Sequence, residues 1–101
     1  MNTREELHEA LVGACGSRNV YFQPPASIKM KYPCIVYCLD SIPIKYAGDK
    51  IYKYNNKYMV TVIDKDPESQ IVTNLLTLPT FTFNRHYVAD NLYHYVFTVW
   101  V

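Results

Sequence analysis

Three histidines, three cysteines and a short acidic run are the groups in this 101-residue chain whose types suit chemistry. His8, His86 and His94 stand at no metal-ligand spacing from one another or from a cysteine, so the pattern does not read as a zinc site. His94 alternates with Tyr93 and Tyr95 in a β-prone run, the setting of a structural ring. Arg85-His86-Tyr87 gathers hydrogen-bond donors at what reads as a strand end, a hydrogen-bonding edge or an interface patch. Asp64 and Asp66 are the one carboxylate pair that would share a side of a strand, as acid–base work would need. Asp66 is better accounted for as a helix N-cap, however. There is no Gly-x-Ser-x-Gly, no cysteine with a local base, and no glycine-rich phosphate loop in a chain with three glycines. The chain therefore reads as non-enzymatic, with no metal and no cofactor.

The cysteines also speak to compartment. Three is an odd number, and no spacing looks like a disulfide framework. Cys34 and Cys38 would share a face of one strand about 13 Å apart, beyond the ~7 Å Cα separation a disulfide tolerates. All three read as free thiols serving as small buried hydrophobes. No apolar run approaches the ~20 residues of a membrane helix. Met1 to Glu6 carries no hydrophobic signal core, so the expected place of synthesis and folding is the cytosol, with no membrane partner.

The elements that position these groups follow from periodicity. Thr3 with Glu6 forms a capping box, and Leu7, Ala10, Leu11 and Ala14 then fall on one helical face, with Gly16 as the stop. Glu5, Glu6 and Glu9 sit where the helix dipole favours negative charge. Val20 to Phe22 is a short β-prone piece cut off by Pro24-Pro25. Cys34 to Leu39 is a strand, and residues 41 to 50 read as a long excursion. Ile51 to Tyr54 extends a strand before an Asn55-Asn56 turn signal. Tyr58 to Ile63 is the strongest strand and, apolar on both faces, belongs at the centre of a sheet. Asp66 as N-cap and Pro67 at the first helical position open a second helix carrying Ile71, Val72, Leu75 and Leu76, ended by Pro79. Thr80 to Tyr87 and Leu92 to Val101 are strands joined by the turn Ala89-Asp90-Asn91. At 101 residues this is one domain. Its class is α+β, with two helices on a mainly antiparallel sheet in the order α-β-β-β-α-β-β.

Composition adds a surface. Net charge is +1, which argues against a polyanion binder driven by bulk charge. Yet six lysines (29, 31, 45, 50, 53 and 57) stand against two aspartates between Lys29 and Lys57. That stretch reads either as a solvated face or as an electrostatic contact with an acidic partner. There are ten tyrosines, four phenylalanines and one tryptophan. Tyrosine has an apolar body and a polar tip, and an excess of it suits a sheet covered by another subunit. The candidate interface residues are Lys45, Tyr46, Lys50, Tyr52, Lys53 and Tyr54 in the excursion, with Arg85 and His86 near the last turn. An alternative use of the Lys/Tyr-rich segment 45–58 is a small nucleic-acid-binding module, by phosphate contact and base stacking.

Three stretches carry a resemblance. They are Val20-Tyr21-Phe22-Gln23-Pro24-Pro25 with Lys29-Met30-Lys31-Tyr32-Pro33-Cys34-Ile35-Val36-Tyr37; Thr61-Val62-Ile63-Asp64-Lys65-Asp66-Pro67-Glu68; and Phe83-Asn84-Arg85-His86-Tyr87 with Asp90-Asn91-Leu92-Tyr93-His94-Tyr95. With the opening helix, their order and spacing resemble the short tail-completion, or tail-terminator, proteins of siphophages and prophages. The resemblance spans nearly the whole chain. It implies a hexameric ring on the end of the tail tube, contacting the tail tube protein and a head-connector or stopper protein, with non-specific contact to DNA passing through the lumen. The implied location is the virion tail or neck, reached from the host bacterial cytoplasm. No individual residue role carries over from the resemblance.

Overall fold

The computed structural model describes residues 3–25, 27–42, 44–48, 50–54 and 56–101; the side chains of residues 44–47 and 50–54 lie outside that description. The elements are α1 (Arg4–Cys15), β1 (Val20–Phe22), β2 (Cys34–Ser41), β3 (Ile44–Ala47), β4 (Lys50–Tyr54), β5 (Lys57–Asp64), α2 (Gln70–Leu76), β6 (Phe81–Ala89) and β7 (Leu92–Trp100). Five strands form one sheet in the order β1-β2-β5-β7-β6, and β3-β4 form a separate two-stranded sheet. Among the described residues, β1 and β2 pair in parallel and the other pairings are antiparallel. The fold is α+β, and its main sheet with the helices follows the expected order α-β-β-β-α-β-β.

The core lies between the helices and one face of this sheet. α1 begins where Thr3 accepts the Glu6 N–H at 3.1 Å and ends at Gly16, whose φ of 76° only glycine adopts without cost. Leu7, Leu11 and Ala14 are its buried stripe. They meet Ile35 and Tyr37 of β2, Tyr58, Val60 and Val62 of β5, Phe97 and Val99 of β7, and Ile71 and Leu75 of α2. β5 is central, as its two apolar faces require. Asn74 donates to the Ala14 carbonyl at 2.9 Å, tying the end of α1 to α2.

Three expectations are corrected. The second helix starts later than Asp66 and Pro67: Ser69 is its N-cap and Gln70 its first residue. Asp64 Oδ1 accepts the Asp66 N–H at 3.0 Å and Asp66 Oδ1 accepts the Glu68 N–H at 2.9 Å. These side-chain turns occupy residues 64–68 and compete with helix there. The helix that remains is seven residues long, too short to bury the whole expected stripe, and Leu76 is 57% exposed. The 41–50 stretch, expected as an excursion between strands, itself contains a strand, β3, which pairs with β4. Finally, the cysteines are free but not all buried: Cys34 is, whereas Cys15 and Cys38 are half-exposed.

The two edges of the main sheet differ. β1 is three residues long, and the Gln23 side chain takes over where Pro24 ends the ladder, accepting the Leu39 N–H at 3.2 Å. β6 is nine residues long, and seven of them, Thr82 to Val88, are exposed.

Candidate assembly surface

The expected interface residues fall on two elements. Arg85 and His86 lie in the middle of β6, not at a strand end, and among the described residues β6 pairs with β7 alone. A bulge between Phe83 and Arg85 sets their faces. His86 stands opposite Tyr95, which faces the helices, with ring centroids 6.2 Å apart, and stacks at 6.4 Å on Phe83. Arg85 stands opposite Val96 on the other face, its guanidinium 5.4 Å from the Tyr87 ring centroid. The neighbouring Tyr87 ring lies 4.7 Å from His94 at an interplanar angle of 12°. Arg85 and His86 are therefore adjacent in sequence but point to opposite faces of the sheet. They do not form one donor patch.

What β6 does offer is a ladder edge with an apolar fringe. Phe83 and Tyr87 are exposed, and Val88 is 62% exposed. A long, exposed edge strand is a template for another strand, and chains that must stay apart protect such edges with charge, proline or brevity. Here the bulge at Asn84 and the single cation Arg85 are the only such devices in the strand.

Lys45, Tyr46, Lys50, Tyr52, Lys53 and Tyr54 lie in the β3-β4 hairpin; their backbone is described and their side chains are not. The hairpin register pairs Ile44 with Tyr54, Lys45 with Lys53, Tyr46 with Ile51, and Ala47 with Lys50. Opposed residues share a face and successive residues alternate. Ile44, Tyr46, Ile51 and Tyr54 thus fall on one face of the ladder, and Lys45, Lys50, Lys53 and Ala47 on the other. Tyr52 is the extra residue at the irregularity between Lys45 and Tyr46. Composition alone left the lysines and tyrosines mixed; the register sorts them.

A second cluster escaped sequence reasoning. Tyr37 on β2 is fully buried, and its hydroxyl lies 3.1 Å from Arg4 Nη1 and 2.8 Å from His8 Nδ1, both on α1. Arg4 also lies 4.6 Å from the Phe22 ring centroid. Beside it is an open hollow of ≈ 460 Å³ lined by Arg4, Glu5, His8 and Glu9. Burial raises the Tyr37 hydroxyl above its ordinary pKa, against the opposing hydrogen bond and charge of Arg4. No local signal announces this cluster, since its members are 29 and 33 residues apart.

No protein-family model matches the chain, and a search of curated proteins gives no match.

Proposed function

We propose that the chain is a non-enzymatic structural subunit of a long-tailed bacteriophage or prophage particle, forming a ring at the end of the tail tube. In this reading the ring stops tube polymerisation and joins the tail to the head connector. Copies meet head to tail through one heterologous interface repeated around an axis, the geometry that closes a ring. The resemblance of three ordered stretches supports the phage assignment. The observation that carries the assembly role is the β6 edge: seven consecutive exposed residues of a long edge strand protected only by one bulge and Arg85, with Phe83, Tyr87 and Val88 along it. A 101-residue domain buries only about two-thirds of its unfolded surface, and packing against neighbours would add to its stability.

The test is genetic and structural together. Particles made without this protein should accumulate overlong, headless tail tubes by negative-stain electron microscopy, and supplying the protein should restore their length. Tails of normal length that merely fail to attach would move the role to head joining. Normal virion yield without the protein would overturn the reading.

A further inference from the structure

We infer that β6 of one copy pairs antiparallel with β1 of the next, so that one sheet runs on from subunit to subunit. This rests on the ring reading above and names the contact that would close the ring. β1 and β6 are the two ends of the strand order β1-β2-β5-β7-β6, and among the described residues each has a partner strand on one side alone. They are different surfaces at opposite edges of the subunit. A contact that joins one to the other is heterologous and repeats from copy to copy until it closes. The strand directions suit such a contact. β6 runs opposite to β7, β7 opposite to β5, β5 opposite to β2, and β2 alongside β1, so β1 and β6 are antiparallel across the sheet. Copies rotated about an axis along the strands present these two edges to each other in antiparallel sense.

The open backbone groups of the two edges match. Ile35 donates to the Asn19 carbonyl and Gln23 donates to the Tyr37 carbonyl, each at 2.9 Å. Backbone groups alternate in direction along a strand, so Asn19, Tyr21 and Gln23 face β2, and Val20 and Phe22 turn their N–H and C=O outward. On β6, the turn Asp90-Asn91 is flanked by the pair Ala89 and Leu92. Such a turn closes with the carbonyl of its first residue accepting from the N–H of its fourth. Ala89, Tyr87 and Arg85 therefore face β7, and Val88 and His86 turn outward. Each edge thus offers two outward residues at i and i+2. A single antiparallel register uses both sets: Val88 opposite Val20, Tyr87 opposite Tyr21, and His86 opposite Phe22. A shift of two residues one way brings Val20 against the turn at Asp90, and the other way brings Phe22 against the bulge between Phe83 and Arg85.

The side chains agree with this register. Val20 and Phe22 stand opposite Ile35 and Tyr37 on the helix-covered face, and His86 and Val88 stand opposite Tyr95 and Tyr93 on that same face. The pairing lays exposed Val88 along β1, sets His86 beside the exposed Phe22 ring, and brings Tyr87 against Tyr21 on the other face. None of the three pairs contains a carboxylate, lysine or arginine, so no like charges oppose one another. Gln23, with φ of 43°, and Pro24 end the β1 edge directly after Phe22. An edge this short is poor at pairing with anything else.

The test is a cross-link in assembled particles. Tyr21→Cys/Tyr87→Cys protein, in a Cys15→Ala/Cys38→Ala background, is supplied to particles that lack the natural chain, and their tails are oxidised and run on a non-reducing gel. Facing residues of a non-hydrogen-bonded pair have Cα atoms about 4.5 Å apart, within the reach of a disulfide. Within one copy the two positions are separated by the three strands between β1 and β6, about 19 Å in all, so any such bond joins two copies. The expected result is a ladder of covalent multimers that collapses on reduction and is absent from either single variant. Particles that carry the double variant without the cross-link would overturn the proposal. So would a dimer from Tyr87→Cys alone, which would mean that β6 meets β6. Val88→Pro decides the matter even if the double variant fails to fold. Its missing N–H faces the open edge, where proline leaves the β6-β7 ladder whole. This variant should keep the wild-type circular dichroism spectrum and lose tail completion; completion at the wild-type level would overturn the pairing. The ring reading fails separately, on normal tails made without the protein.

Discussion

His8 Nδ1 lies 2.8 Å from the Tyr37 hydroxyl, the shortest link between the opening helix and the sheet beneath it among the side-chain contacts described. Arg4 Nη1 lies 3.1 Å from the same oxygen. A guanidinium only donates, so the Tyr37 oxygen accepts from Arg4, and the same hydroxyl is hydrogen-bonded to His8 Nδ1. Replacing Tyr37 with Phe keeps the buried ring and its contact with Phe22 at 4.9 Å but removes both bonds. The expected loss is about 1–2 kcal/mol in urea denaturation, because two partly buried partners lose a charge-assisted and a neutral bond. Tyr37→Ala should cost more, about 3–5 kcal/mol, through the cavity it leaves.

Cys34 should be the inert thiol of the three. It is fully buried, and burial pushes its pKa from 9.0 up to about 12, with the neighbouring Cys15 and Asp64 groups adding to the rise. Only the thiolate reacts readily. Iodoacetamide at pH 8 should therefore label Cys15 at least ten times faster than Cys34, with Cys38 between them, its thiol raised by burial and by Asp40. A thiol that keeps its proton longer when folded contributes stability that is fully present below the unfolded value and is lost as pH rises toward the folded one. Wild type should consequently lose more stability than Cys34→Ala between pH 9 and 12, the interval between the two values. Comparing the two proteins in urea at each pH isolates this contribution from those of the tyrosines.

The β6-β7 turn predicts a stabilising change. Asp90 and Asn91 have φ of 53° and 62°, both in the left-handed region, as a two-residue hairpin turn demands. Asn91→Gly removes the side-chain cost of that conformation and should raise stability by about 0.5–1 kcal/mol. Asn91→Val, a β-branched residue in the same conformation, should lower it by about 1–3 kcal/mol. Thermal melts of the two variants, moving in opposite directions, check this.

Much of this fold is legible residue by residue where the signal is local. Thr3 with Glu6, Gly16 and the Asp90-Asn91 turn each act within a few positions and stand where their chemistry puts them, and of the expected stripe Leu7, Leu11 and Ala14 are buried while Ala10 is half-buried. The two fairly apolar faces of β5, Tyr58, Val60 and Val62 on one and Met59, Thr61 and Ile63 on the other, place it at the centre for the same reason. Asp66 and Pro67 misled because a good N-cap residue is also a good side-chain-turn residue, and the turn won. The candidate surface was legible only as composition. Which strand is the open edge depends on strand order, and which face takes the lysines depends on a register irregularity between Lys45 and Tyr46. Neither is written in any one segment. The Arg4-His8-Tyr37 cluster depends on α1 lying across β2, a contact between segments some thirty residues apart.

The open edge makes the last prediction. Val88 is 62% exposed on β6, outside the core cluster, so a charge there costs the monomer little. Val88→Lys should change stability by no more than about 0.5 kcal/mol, the range of an ordinary surface substitution. Its effect on strand pairing should be much larger, because a lysine on an edge strand obstructs the approach of another strand. In the ring reading this variant should give tails that are overlong or unjoined in negative stain, with the purified protein still folded by circular dichroism. Phe83 is the poorer probe, since its ring lies 5.5 Å from Phe97 in a T-shaped contact and its loss would disturb the core as well as the edge. A Val88→Lys protein that completes tails at the wild-type rate would show that the β6 edge takes no part in assembly.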